Sequence, residues 1–381
     1  MSRQAQAAPA LAALWQRPSL QAVARLLGPA QVRLVGGCVR DTLLGQVAKD
    51  IDLCTPLLPE QVMALAEASD IFAAHPTGLK HGTVTLVHVP TAHPLEVTTL
   101  RVDQVTDGRH AQVAFTSDWR GDAARRDLTF NALMLDTRGQ IYDYFDGQKD
   151  LAEGRVRFIG VPMQRLQEDW LRALRYLRFW VRFGHQPPEP DQEEALRAAA
   201  PKLQTLSVER IWQELKGLVQ APRANAGLCL FEDYGYARAL GLTLNRDVPL
   251  DPADPVAAWA GILAPGQGNF PSQMRASRAE QGHFASVQAA LASEEHLFAQ
   301  QIRFGHSAAL AAHHLQGDTK ALATASAPPP FPVTAKDLLG IGYKPGPALG
   351  KALAELKEMW IAQSGQLTRE ALLEALSKST T

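Results

Sequence analysis

The strongest constraint on the fold is a change of pattern partway along the chain. Up to about Gln164 short apolar runs alternate with helix-like stretches, and from there on the periodicity is helical only. A chain of 381 residues exceeds one ordinary compact domain. The expected architecture is therefore an α/β head followed by an all-helical remainder. In the head, Gln31 to Val35 reads as a strand ended by Gly36-Gly37, and Val39 to Leu44 as a short helix closed by Gly45. Ile51 to Leu53 reads as a second strand and Pro59 to Ala68 as a helix with proline at a favourable first position. Thr83 to Val89 and Leu95 to Leu100 are expected to pair as a hairpin around His93-Pro94, and Gln140 to Phe145 is a further short strand. Arg101 to Trp119 lacks strand periodicity. Met163 to Phe183 reads as one long amphipathic helix, and Ala325 to Pro332 as a proline-rich linker.

Composition narrows the functional classes. The formal net charge is -1, so any nucleic-acid surface has to be a local patch rather than a global basic field. The three cysteines, Cys38, Cys54 and Cys229, form no CxxC pair, which points away from a zinc site and a disulfide framework and toward a reducing compartment, read as the cytoplasm. Met1 to Arg17 does not read as a signal peptide, and no apolar run is long enough to span a membrane.

Three constellations carry chemistry. The first is Gly36-Gly37-Cys38-Val39-Arg40-Asp41 followed by Asp50-Ile51-Asp52. A glycine turn after a strand lets backbone approach a ligand, and the helix that follows directs free N–H groups at it. Arg40 adds a fixed cation. Residues two apart in a strand share a face, so Asp50 and Asp52 repel unless a cation lies between them. Mg²⁺ suits such hard oxygen ligands and takes substrate phosphates to complete its shell. The second is Arg125-Arg126-Asp127-Leu128-Thr129-Phe130-Asn131-Ala132. Arginine forks match phosphate, and Asp127 with Asn131 is spaced to brace or to hold a ribose hydroxyl. The third is Glu168-Asp169-Trp170-Leu171-Arg172 with Arg175 and Arg178. Leu166, Trp170, Leu174, Leu177 and Val181 gather on one side of that helix and arginines on the other, a clustering that costs repulsion unless anions meet it.

In this order the segments resemble the class II tRNA nucleotidyltransferases, the bacterial CCA-adding enzymes and their poly(A) polymerase relatives. The likeness is close from Val32 to Phe183 and extends to Ser207-Val208-Glu209-Arg210-Ile211. It implies an α+β fold: a polymerase-β-like nucleotidyltransferase head with a small mixed sheet, then an all-helical neck, body and tail. The boundaries expected are an extension over 1–27, the head over 28–153, the neck over 154–222, the body over 223–326 and the tail over 327–381.

By motif, Asp50 and Asp52 would be catalytic and hold Mg²⁺. Gly36, Gly37, Arg40, Arg126 and Asp127 would bind the nucleotide, and Asp169 and Arg172 would read its base, with Arg175 and Arg178 in support. Glu96 sits where a third acid would assist. The implied reaction is template-independent addition of C and A to a tRNA 3′ end from CTP and ATP, with release of pyrophosphate. An acceptor-only Asp169 beside a donor-only Arg172 matches the edge shared by cytosine and adenine and rejects uracil and guanine.

The polar stretch from Arg101 with Asp103, Asp107, Gly108, Arg109 and His110 corresponds to a loop that the resemblance ties to the final A addition. Asp143-Tyr144-Phe145-Asp146-Gly147 departs from the family's usual Asp-Pro start. An A-adding-only enzyme or a poly(A) polymerase would share this head, and a catalytically silent RNA-binding protein is the alternative of another class. A phosphohydrolase is disfavoured, because His313-His314 lacks a following Asp. Oligomeric state is not legible.

Overall fold

The computed structural model describes residues 3–48, 50–106 and 111–379. The chain divides into two compact units, 1–206 and 207–381.

The first unit is built on a seven-stranded mixed sheet. Its strands are β1 (Arg33–Val35), β2 (Asp52–Thr55), β3 (Phe72–Gly78), β4 (Thr83–His88), β5 (His93–Thr99), β8 (Met134–Asp136) and β9 (Ile141–Tyr142). They lie in the order β3-β4-β5-β2-β1-β8-β9. Only β2 and β5 run parallel, with Asp52 opposite Glu96 and Leu53 opposite Val97. The centre is dry: Leu34, Leu53, Leu86, Leu95, Met134 and Leu135 are fully buried. The expected β4–β5 hairpin is present, but its turn falls at Val89–Thr91, and Pro94 pairs inside the strand with Val87. Strand β3 had no clear sequence signal, because His75-Pro76-Thr77-Gly78 lacks alternation. The strand expected over Gln140 to Phe145 shortens to β9.

A separate hairpin, β6 (Arg101–Thr106) with β7 (Ala111–Phe115), corrects the reading of that stretch as irregular. Residues 107–110, including Asp107 to His110 singled out from the sequence, lie outside the described residues.

The helices of this unit are α1 (Arg3–Leu14), α2 (Pro18–Leu27), α3 (Gly37–Leu43), α4 (Pro59–Glu67), α5 (Trp119–Ala124), α6 (Gly147–Glu153), α7 (Pro162–Glu168), α8 (Leu171–Phe183) and α9 (Pro190–Ala199). Pro18 restarts the chain as α2. The long helix expected over Met163 to Phe183 is broken in two. Asp169 swings to extended backbone (φ -156, ψ 105), and its carboxylate accepts the Leu171 amide at 3.1 Å, satisfying one of the free donors at the start of α8. Along α8 burial is wider than one stripe: Leu174, Leu177 and Val181 are joined by Tyr176, Phe179 and Phe183. Phe130 meets Phe179 and Phe183 edge-on, with ring centroids 5.9 and 5.7 Å apart.

The second unit is helical throughout its described residues, apart from one isolated bridge between Leu244 and Leu263. It opens with α10 (Val208–Val219), and its last helices enclose a local core of Leu338, Leu356, Trp360 and Leu372. Among the described residues no helix is long and apolar enough to cross a membrane.

Candidate active site

Strand β1 delivers the chain to Gly36, where φ is +74° and ψ is -124°, a conformation that favours glycine. A Cβ placed there would come within 3.4 Å of the Asn131 carbonyl oxygen and 3.7 Å of an Arg126 guanidinium nitrogen. The Gly36 amide donates to the Leu133 carbonyl at 3.0 Å, which seats the turn on β8. Helix α3 starts at the next residue, and its Arg40 turns inward. Arg40 donates to Asp41 at 2.8 Å and to Asn131 Oδ1 at 2.5 Å, and lies over the rings of Phe179 and Phe183. Burial pulls its pKa down against the pull of Asp41.

The two aspartates stand at the mouth of β2. Asp50 lies in a bend before the strand and Asp52 is its first residue, so the shared-strand argument gives way to a simpler one. Ile51 between them is buried while Asp50 and Asp52 are exposed. Glu96, opposite Asp52 across the parallel pair, is exposed as well. The crowded surroundings of Asp52, the Glu96 charge and Asp50 push its carboxyl above the usual range, and Arg126 pulls it back. Among the described residues no three His, Cys, Asp or Glu side chains form a closed ligand cage. That leaves the mode in which one or two carboxylates share a cation with water and substrate phosphate, and the exposed, mutually repelling Asp50 and Asp52 fit it.

Arg125 and Arg126 follow helix α5 rather than start one. Both are held by Asp122, which is 1% exposed. Its Oδ1 accepts from Arg125 Nε at 2.8 Å and its Oδ2 from an Arg126 terminal nitrogen at 3.1 Å. Burial raises the Asp122 pKa, but the two arginines outweigh it and hold it low. The Arg126 Nε is buried with no hydrogen-bond partner. Sequence reading passed over Asp122, although an acid three and four residues before two arginines is a usable signal on a helix.

Asp127 is buried and fully engaged. Its Oδ2 accepts from Arg175 at 2.8 and 2.6 Å, and its Oδ1 accepts from the Leu128 amide at 2.8 Å and Asn131 Nδ2 at 3.1 Å. Burial works against its charge, and Arg175 prevails. The anticipated Asp127–Asn131 brace is therefore present, and it runs on through Asn131 to Arg40. Arg172 donates to Glu168, to the Arg165 carbonyl at 3.0 Å and to the Arg125 carbonyl at 3.1 Å. Arg178 lies 4.5 Å from the Phe179 ring centroid. The structure thus joins Gly36, Arg40, Asn131, Asp127 and Arg175 by hydrogen bonds and sets Arg126 beside Gly36. The Arg172 guanidinium is turned to Glu168, while the Asp169 carboxylate caps α8.

An acidic pole beside a fixed arginine, at the start of the central strand β2 next to a Gly-Gly turn, defines a nucleotidyltransferase that works through a divalent cation. Residues 32–157 match the family described as "Poly A polymerase head domain", and residues 187–242 match "Probable RNA and SrmB- binding site of polymerase A". The mitochondrial CCA tRNA nucleotidyltransferase 1 of Danio rerio is 35% identical, over 92% of this chain and 88% of its own. The CCA-adding enzyme of Geobacillus thermodenitrificans is 39% identical over 54% of this chain and 50% of its own. Among solved structures, the Bacillus stearothermophilus CCA-adding enzyme in complex with CTP superposes with a TM-score of 0.76 at 25% identity, covering 96% of this chain and 98% of that one. The chain belongs to the CCA tRNA nucleotidyltransferase family.

Proposed function

We propose that this protein completes the 3′ end of tRNA by adding C, C and A from CTP and ATP without a nucleic-acid template, releasing pyrophosphate at each step. The observation that carries the reading is the exposed pair Asp50 and Asp52, with Glu96 alongside, facing Arg126 beside the Gly36-Gly37 turn. In this reading Asp50 and Asp52 hold Mg²⁺. When bound, the ion supplies positive charge that acidifies the RNA 3′-hydroxyl and neutralises the triphosphate.

The remaining work belongs to the chain. Gly36 and Gly37 allow phosphate oxygens to approach the backbone. Arg126 offers its guanidinium, beside the Gly36 turn, to the triphosphate, where fixed positive charge counts most as the transferring phosphate gains charge. Arg40, tied to Asn131 and Asp41, gives this pole a fixed cation from behind. Asp127 holds Arg175 against the nucleotide, and Arg178 adds to the cationic face. Asp169 and Arg172 select the base by presenting acceptor and donor to the edge that cytosine and adenine share.

The division into extension, head, neck, body and tail over 1–27, 28–153, 154–222, 223–326 and 327–381 belongs to the same reading. So does the cytoplasm as a reducing compartment, which three unpaired cysteines support.

The test offers purified protein a tRNA lacking CCA and one ending in CC, with CTP, ATP or both. Addition of C, C and A to the first is expected, and of A to the second. Extension of the second substrate alone would point to an A-adding enzyme, and long A tails to polyadenylation. No extension of either would leave RNA binding without catalysis. Asp52→Ala is expected to abolish transfer on both, and full activity in that variant would overturn the metal assignment.

A further inference from the structure

One buried acid serves three partners at once. Besides Arg125 and Arg126, Asp122 Oδ1 accepts the backbone amide of Arg101 at 3.2 Å, and Arg101 opens the β6–β7 hairpin. The hairpin root is fixed on two further sides. The Arg101 guanidinium donates to the His81 carbonyl, and a Cβ on Gly82 would lie 2.7 Å from the ring of Phe115, which pairs with Arg101 across the root. Asp122 therefore joins the root of the hairpin to Arg126, a guanidinium nitrogen of which would lie 3.7 Å from a Cβ on Gly36.

We infer that Asp122 is a positioning residue for nucleotide binding: it holds Arg126 for the triphosphate and ties that arginine to the base of the hairpin. The inference rests on the function proposed above. Asp122 is 1% exposed and its oxygens are occupied by Arg101, Arg125 and Arg126, so it acts through them rather than by touching the substrate. A neutral amide of the same shape keeps one acceptor but loses the charge that aligns the guanidinium. Arg126 then swings among positions, and its contact with the phosphates weakens whichever base the nucleotide carries.

The test compares wild type, Asp122→Asn, Arg126→Lys and the double variant by steady-state kinetics, with inorganic pyrophosphate as a competing probe of the phosphate pole. Asp122→Asn should raise KM for CTP and for ATP by the same factor, about tenfold for one misaligned charged hydrogen bond. The inhibition constant of pyrophosphate should rise in step, while KM for tRNA holds. In the Arg126→Lys background the same substitution should add less than about twofold, since the partner it positions is gone. A general loss of folding would instead lower the active fraction and leave KM alone. Equal losses in both backgrounds, or a KM change confined to one nucleotide, would overturn the assignment. Transfer by the wild type tests the function itself, so the two failures are distinguishable.

Discussion

The acidic pole should weaken the metal-free protein, and one substitution isolates that cost. Asp52 faces Glu96 across the parallel strands β2 and β5, and the Asp52 carboxyl is held above its usual range by crowding, by Glu96 and by Asp50. A carboxyl whose folded pKa is raised binds its proton more tightly folded than unfolded. Its ionisation therefore costs stability as pH climbs from the ordinary aspartate range through the raised value, and the cost vanishes below that range. Like charges facing one another across strands cost about 0.2–1 kcal/mol, and solvent exposure keeps such pairs toward the low end. Asp52→Asn should therefore stabilise the metal-free protein at pH 7 by about 0.5 kcal/mol, or about 1–2 °C in Tm for a unit of this size. A divalent cation reverses the ranking: at 100 times its dissociation constant it adds about 2.7 kcal/mol to a protein that binds it. Thermal melts of both proteins in EDTA and in excess Mg²⁺, from pH 4 to pH 8, read all of this. If the variant melts below wild type in EDTA at pH 7, or gains as much from Mg²⁺, the reasoning about the pole is wrong.

Two further expectations concern packing and thiol chemistry. A Cβ at Gly147 would lie 2.4 Å from the Thr129 carbonyl oxygen and 2.9 Å from Phe130 Cα, both backbone atoms, so Gly147→Ala should destabilise by about 1–3 kcal/mol, visible as a lower Tm. Because the displaced turn carries Asn131 and its bond to Arg40, activity should fall with it, and an unchanged Tm would refute the clash. Cys38 and Cys54 are buried; burial pushes the Cys38 thiol up to about 11 and the Cys54 thiol higher still. Iodoacetamide should therefore label Cys229 in the native protein and reach the other two only after unfolding, as peptide mass mapping would show.

The legible parts of the sequence were those whose chemistry is local. Gly36 announces a backbone that only glycine adopts easily, and Asp50-Ile51-Asp52 announces two exposed acids around one buried apolar residue. The break at Asp169 was hidden because the apolar spacing continues across it; a carboxylate capping the next helix overrides periodicity. Hairpin β6–β7 was missed because its strands pair with each other outside the main sheet. Asp122 escaped because a mixed run of acids and arginines reads as a solvated surface until the fold buries it.

The arginines of α7 and α8 show where sequence reasoning about charge stops. Their clustering suggested that external anions must meet them, yet the fold supplies acids of its own. Glu168 engages Arg165 and Arg172, Asp127 engages Arg175, and Asp41 lies 3.7 Å from Arg182. Ion pairs within the fold thus engage Arg165, Arg172, Arg175 and Arg182. Under the proposed function, nucleotide binding on this face would be an exchange rather than the filling of empty donors. A base that draws on Arg172 takes it from Glu168 and two backbone carbonyls and has to replace those bonds. Under the proposed function, a base with the wrong edge would leave these half-buried groups unpaired, at about 1–3 kcal/mol each, and base selection would rest on that difference.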